Sequence, residues 1–283
     1  MRLVNYDAGS GPRAGVLQDD GIVDIWEALG EEPKGMAGVV ALVRTRGLEG
    51  VAERTAGAEP TAALSDVKLL APVLRPSKII CIGLNYRQHA EEAGLDAPEA
   101  PTFFAKFPNA LSAPGAEVKL PAYSEKVDYE AEVAFVIADR CKDVPESEAL
   151  EHVLGYTLLN DLSARDYQFM TPQWGPGKTF DGSAPCGPAI VTAGDAGPHD
   201  AIEISLTLNG ETMQSASTAD LIHSIPALVA FLSKLMTLEP GDLISTGTPA
   251  GVGSVRDPHV WLKPGDVCVV ESPQLGRLET PLV

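Results

Sequence analysis

Between Asp128 and Ile137 the chain reads DYEAEVAFVI, where Tyr129, Ala131, Val133, Phe135 and Ile137 alternate with Glu130, Glu132, Ala134 and Val136. A period of two puts these sets on opposite faces of a strand. Both faces are apolar toward the C-terminal end, so the strand is expected to be buried on both sides, with Glu130 and Glu132 together on one of them. Similar patterning predicts strands in KIICIGL, VLGYTLLND, PAIVTA, IEISLTLNGETM, GDLISTGTP and DVCVVESP, with Asn209-Gly210 as a tight turn. The period becomes helical in SIPALVAFLSKLM. There Ser224 is placed to cap, Pro226 falls in the first turn, and Ile225, Leu228, Val229, Leu232, Leu235 and Met236 form an apolar stripe that EPGD ends.

Residues 2 to 25 read as short strands separated by Gly and Asp-Gly turns, followed by a helix-like stretch broken by Gly and Pro. A new pattern begins with VKLLAPVLRPSKIICIGLNY, which predicts a small N-terminal α/β domain over residues 1–68 and a larger domain over 69–283. Many strands with few helices between them indicate an α+β, mainly β architecture instead of a doubly wound sheet.

The 283 residues, 45% hydrophobic, are enough for a substantial core. Lys and Arg total 21 against 39 Asp and Glu, a net charge of −18, which disfavours nucleic acid and anionic membrane surfaces as partners. No apolar run approaches the ~20 residues of a membrane span, and MRLVNYDAGS lacks the layout of a secretion signal, so the cytoplasm is the expected compartment. Cys81, Cys141, Cys186 and Cys268 form no C-x-x-C pair and read as buried, reduced thiols.

Two carboxylates at i and i+2 of a buried strand lie ~7 Å apart and repel in a low dielectric, so a positive group belongs between them. A Lys or Arg could serve. A hard divalent cation would call for a third carboxylate, and Asp161, at the end of VLGYTLLND, is the candidate; oxygen ligands without His or Cys favour Mg²⁺ or Mn²⁺. In GLNYRQHAEEAG, His89 and Glu92 are spaced to meet on a helical turn, as an oriented general base or as a chance exposed contact. Lys178 is either a pocket cation or a surface lysine. Its G-K-T setting is not a phosphate loop, because Pro172 stands where that motif needs glycine. STGTPAGVG, with Thr248, offers amides to a small anion or is a plain glycine-rich loop. His152, His199, His223 and His259 read as structural.

The blocks GLNYRQHAEE, FFAKFPNAL, DYEAEVAFVI, GYTLLNDLSARDYQ, GKTFDGSAPCGP and LISTGTPAGVG, in this order, resemble the fumarylacetoacetate hydrolase family, in particular its bacterial two-part members. The resemblance runs from about residue 70 to the C-terminus. It implies a mixed β-sandwich roll around a metal, assembled as a homodimer. Glu130, Glu132 and Asp161 match the family's ligands for Mg²⁺, sometimes Mn²⁺ or Ca²⁺, and His89 and Glu92 match the dyad that activates water. Catalytic Lys178 matches a contact to substrate or oxyanion, and Lys106, Gln168 and Thr248 match substrate-site positions. Some relatives carry arginine where Leu84 stands here.

The resemblance also implies a small anionic 2-oxo acid as substrate. Hydrolysis of a C–C bond in an acylpyruvate is the favoured reaction, because both members of the dyad are present. Oxaloacetate decarboxylation and isomerisation of a 2-hydroxy-diene-dioate are alternatives at the same site, and a non-catalytic metal-binding relative is a third.

Overall fold

The computed structural model describes every residue of the chain except Ser10, Lys34, Ala93 and Leu95. The strand Ala131–Ile137 is buried along its whole length and sits inside a twelve-stranded mixed sheet. From edge to edge the path runs Ala62–Ala63, Gly21–Asp24, Pro12–Gln18, Arg2–Asp7, Ala184–Thr192, Val153–Asn160, Ala131–Ile137, Leu243–Ser245, Ile79–Gly83 and Thr102–Lys106. Neighbours along this path pair antiparallel, save for the parallel pairing of Leu243–Ser245 with Ile79–Gly83. A second sheet orders Glu211–Ser217, Glu203–Leu208, Val267–Ser272 and Gly276–Pro281.

The alternation read from the sequence sorts this strand's side chains between two apolar clusters. Val133, Phe135 and Ile137 pack with Leu158, Leu206, Val270 and Leu278, a core that joins the two sheets. Ala134 and Val136 face the opposite way and pack with Leu3, Val16, Trp26, Val39 and Leu42. The architecture is therefore mainly β, a sandwich of unequal sheets with helices laid on its flanks. Residues 2–24 extend the large sheet: Arg2 pairs with Val191 and Leu3 with Ile190. The N-terminal segment thus shares both hydrogen bonds and apolar core with the chain beyond residue 68.

Helix Ile225–Leu235 has Ser224 Oγ accepting from Ala227 N at 3.3 Å, with Pro226 in the first turn. Ile225, Leu228, Val229 and Leu232 are buried, but the stripe stops there. Leu235 is exposed, and Met236 has left the helix for extended backbone. The chain turns at this point so that Leu238 can bury itself and pair through its backbone with Cys141. At the predicted hairpin, Asn209 (φ +52°) and Gly210 (φ +85°) both adopt the left-handed backbone a two-residue turn requires. The four cysteines are free and buried.

Asp24, fully buried, closes the N-terminal strands onto the adjoining helix Ile25–Leu29. Its carboxylate accepts from Tyr6 Oη at 2.5 Å, from Arg13 Nη2 at 2.8 Å and from Glu27 N at 3.0 Å. Burial pushes its pKa up, but the Arg13 and Tyr6 hydrogen bonds prevail and hold it below the ordinary 3.8. Removing one partner of such a pair strands the other, so Asp24→Ala should cost ~3–5 kcal/mol in denaturant unfolding. With the folded pKa depressed, the wild-type advantage is full above the unfolded value and shrinks as acid protonates the folded carboxylate. A gap between wild type and variant that did not narrow on acidification below that value would contradict this.

Candidate metal centre and adjoining cavity

Register brings the acidic residues together. Ala131 pairs with Asn160, so the residues just outside that rung, Glu130 and Asp161, lie opposite each other, with Asp161 N donating to Glu130 O at 2.8 Å. Glu132, two positions on, turns to the same side. All three side chains are buried, and each offers an oxygen within 4.8 Å of the others.

Three cations surround them. Lys178 Nζ donates to Glu130 at 2.5 Å and to Asp161 at 2.9 Å. Lys106 Nζ donates to the other oxygen of Asp161 at 2.5 Å. Arg165 Nη1 lies 2.7 Å from Glu130 and donates to Gln168 Oε1 at 2.9 Å, while its Nε donates to Asp128 at 2.8 Å. Lys178 and Lys106, each about 2% exposed, are pocket cations and not surface lysines.

The charge is not fully balanced: the buried carboxylates Asp128, Glu130, Glu132 and Asp161 outnumber Lys106, Lys178 and Arg165 by one. Burial works against ionisation of Glu130, yet Lys178 and Arg165 draw its pKa down to about 2. Glu132 goes the other way. Burial, then the charges of Asp161 and Glu130, push its carboxyl well above the usual range, and it has only Ser245 Oγ and, at 3.3 Å, Gly247 N as donors. A buried carboxyl short of positive charge, one of three convergent oxygen donors without His or Cys, fits a hard divalent cation.

The dyad is assembled beside this cluster. Helix Arg87–Glu92 carries both residues; His89 Nδ1 lies 2.6 Å from Glu92 Oε1, and the His89 side chain is 11% exposed, not a loose surface contact. Glu92 Oε2 accepts from Gly251 N at 2.9 Å. The glycine-rich loop thus directs its amides to protein carboxylates: Gly247 to Glu132, Gly251 to Glu92 and Gly253 to Asp128 at 2.7 Å. Thr248 Oγ1 accepts from Gln214 Nε2 at 2.8 Å, which leaves its own hydrogen free for another acceptor.

His89, Glu130, Glu132, Gln168, Lys178 and Thr248 line one cavity of about 350 Å³. Glu92, Lys106 and Asp161 stand immediately behind that lining. The outer wall is apolar and includes Leu84, Phe104, Phe169, Trp174, Val252 and Val255. Phe104 meets Trp174 edge-on at 5.7 Å and carries Lys178 Nζ 4.9 Å from its ring centre. Every residue singled out in the sequence as a site candidate converges here. Arg165, Asp128, Phe104 and Trp174 were not singled out. The only sequence signal for the first is a basic residue four positions after Asp161, within LSARDYQ.

Residues 78–283 match the family model described as "Fumarylacetoacetate (FAA) hydrolase C-terminal". A Dictyostelium discoideum fumarylacetoacetate hydrolase domain-containing protein 2 homolog is 40% identical over 98% of this chain and 96% of its own. A Bos taurus protein named oxaloacetate tautomerase FAHD2A, mitochondrial, is 39% identical over 100% of this chain and 92% of its own. Among solved structures, a putative HpcE protein from Mycobacterium smegmatis superimposes with a TM-score of 0.89 at 34% identity, covering 100% of this chain and 99% of that one. Among the described residues no helix is long and apolar enough to cross a membrane, and the mitochondrial label belongs to the bovine relative. By the extent of the family match and by full-length identity, this chain belongs to the fumarylacetoacetate hydrolase family, a family of enzymes.

Proposed function

We propose that the protein is a divalent-metal-dependent enzyme acting on a small anionic 2-oxo acid, and that its reaction is keto–enol tautomerisation of oxaloacetate, the activity by which its bovine relative is named. One observation carries the reading: an acidic triad suited to a hard cation and a His–Glu pair open onto the same cavity. Glu130, Glu132 and Asp161 would hold Mg²⁺, with Mn²⁺ or Ca²⁺ as substitutes. Such an ion, when bound, neutralises the 2-oxo acid's carboxylate and draws electron density toward its 2-oxo oxygen.

The chain's own residues supply the proton chemistry. Glu92 fixes the His89 ring through Nδ1, so that Nε2 is the nitrogen available to substrate. His89 takes a proton from the carbon next to the 2-oxo group; the C–H pair becomes the C=C bond, the carbonyl π pair moves to oxygen, and that oxygen takes a proton from water while His89 releases its own to water, giving the enol with no net proton change. Lys178 and Gln168 flank the cavity as donors to that oxygen, and the reverse sequence regenerates the ketone.

Hydrolysis of an acylpyruvate is the second reading. The same dyad could activate water, and a 350 Å³ cavity with an apolar outer wall has room for more than a four-carbon diacid. Decarboxylation of oxaloacetate would use the same oxygen donors. We further propose a homodimer, supported by Phe103, Phe107, Phe169 and Met170, which are exposed on and near the edge strand that carries Phe104.

Decay of enol-oxaloacetate followed by ultraviolet absorbance, beside cleavage of an acylpyruvate, decides between the readings. Turnover should require Mg²⁺ and be abolished by chelator, and His89→Ala should lower kcat by ~10²–10⁴. Turnover that survives chelation would reject the metal reading, faster acylpyruvate cleavage would favour hydrolysis, and no turnover of either would leave a non-catalytic metal-binding relative. Gly83→Ala is a separate check on the cavity wall. A Cβ there would come within 2.2 Å of the Trp174 ring, so the variant should lose ~1–3 kcal/mol of stability, shift the tryptophan fluorescence and raise KM. Unchanged fluorescence and KM would show that Trp174 does not shape the cavity.

A further inference from the structure

Asp128 belongs to neither triad nor dyad, yet it is completely buried and its acceptor capacity is filled from three directions. Oδ1 accepts from Tyr129 N at 2.9 Å and Gly253 N at 2.7 Å, and Oδ2 from Ser254 N at 3.0 Å and Arg165 Nε at 2.8 Å. Arg165 Nη2 also lies 2.8 Å from Oδ2, but without hydrogen-bond alignment. The far side of that guanidinium reaches Glu130 and Gln168. Val252, Ser254 and Val255 are cavity wall.

We infer that Asp128 is a positioning residue which sets two parts of the site as one unit: the Arg165 guanidinium that braces Glu130, and the 252–255 segment that walls the cavity. The half concerning Glu130 rests on the metal reading above; the half concerning the wall does not. The chemistry requires a carboxylate. Each oxygen receives two N–H groups, so the amide nitrogen of an asparagine would face donors whichever way it turned. With its counter-charge gone, Arg165 has only Glu130 to neutralise it and no anchor on the side away from the triad. Backbone space is equally committed, since a Cβ on Gly253 would fall 2.0 Å from Val260 O and 2.7 Å from Asp128 Oδ1.

The test uses the full chain and reads Mn²⁺ affinity by dialysis with electron paramagnetic resonance, and amide exchange of the 251–256 segment by mass spectrometry. Asp128→Asn should weaken Mn²⁺ binding by about 10–100-fold, the effect typical of groups that orient metal ligands, and should speed exchange at Gly253 and Ser254. Arg165→Lys should weaken Mn²⁺ comparably and leave exchange of the segment unchanged. The double variant should bind Mn²⁺ no more weakly than the poorer single variant, because one acts through the other. Mn²⁺ affinity in folded Asp128→Asn equal to wild type, or additive losses in the double variant, would overturn the Glu130 half, and unaltered exchange would overturn the wall half. Were Asp128→Asn not to fold, Arg165→Lys carries the test: full Mn²⁺ affinity there removes the basis of the Glu130 half, and accelerated exchange that of the wall half. A wild type that took up no Mn²⁺ would refute the metal reading and the Glu130 half with it, and exchange would still decide the wall half.

Discussion

Three buried carboxyl groups held within 4.8 Å of one another at the wall of a cavity repel when ionised, and the arrangement of the site offsets that repulsion. At an effective dielectric near 20, one like-charged pair at about 4 Å costs roughly 4 kcal/mol. The protein meets this with Lys178 between Glu130 and Asp161, Lys106 behind Asp161 and Arg165 beside Glu130. Glu132 is left with a hydroxyl and an amide. That residual deficit, which keeps the Glu132 carboxyl well above the usual range, is where a doubly charged ion would have the most to gain. In the proposed function such an ion would offset, at the cavity, the overall charge of −18 that an anionic 2-oxo acid meets.

The second organising element is the loop from Gly247 to Gly253. Its amides reach a triad member, the dyad carboxylate and the Arg165 anchor in turn, so one turn of backbone touches all three parts of the site. Glycine is needed at Gly247 and Gly251, whose φ values are +99° and +103° and where a Cβ would meet carbonyl oxygens at 2.9 and 2.2 Å. Gly251 is held on its other side as well, its carbonyl accepting from Tyr129 Oη and Arg256 Nε. Rigid backbone supplies part of the electrostatics that side chains leave unfinished.

The strand with Glu130 and Glu132, the placement of Asp161 and the His89–Glu92 turn were legible because each depends on local period or on spacing along the chain. The pairings of the counter-ions were not. Lys178 lies 48 residues from Glu130 and Lys106 lies 55 from Asp161, and no pattern in the chain announces that they meet. In the sequence the glycine-rich loop reads either as a donor of amides to a small anion or as a plain turn; its acceptors prove to be the protein's own carboxylates, a fact that only tertiary placement could supply. The sequence pattern changes near residue 68, yet the large sheet runs across that point, because edge pairing such as Arg2 with Val191 leaves no mark on either segment alone. Met236 misled for a related reason: its spacing continues the helical stripe, but burial of Leu238 determines where the helix stops.

The central claim, that the buried triad is a cation site facing a 2-oxo acid, is tested most directly by a crystal grown with Mn²⁺ and oxalate and measured for anomalous scattering. The account predicts one strong peak among Glu130, Glu132 and Asp161, with oxalate against it inside the cavity that His89 lines. A peak elsewhere, or oxalate bound in that cavity with no ion among the three carboxylates, would contradict it.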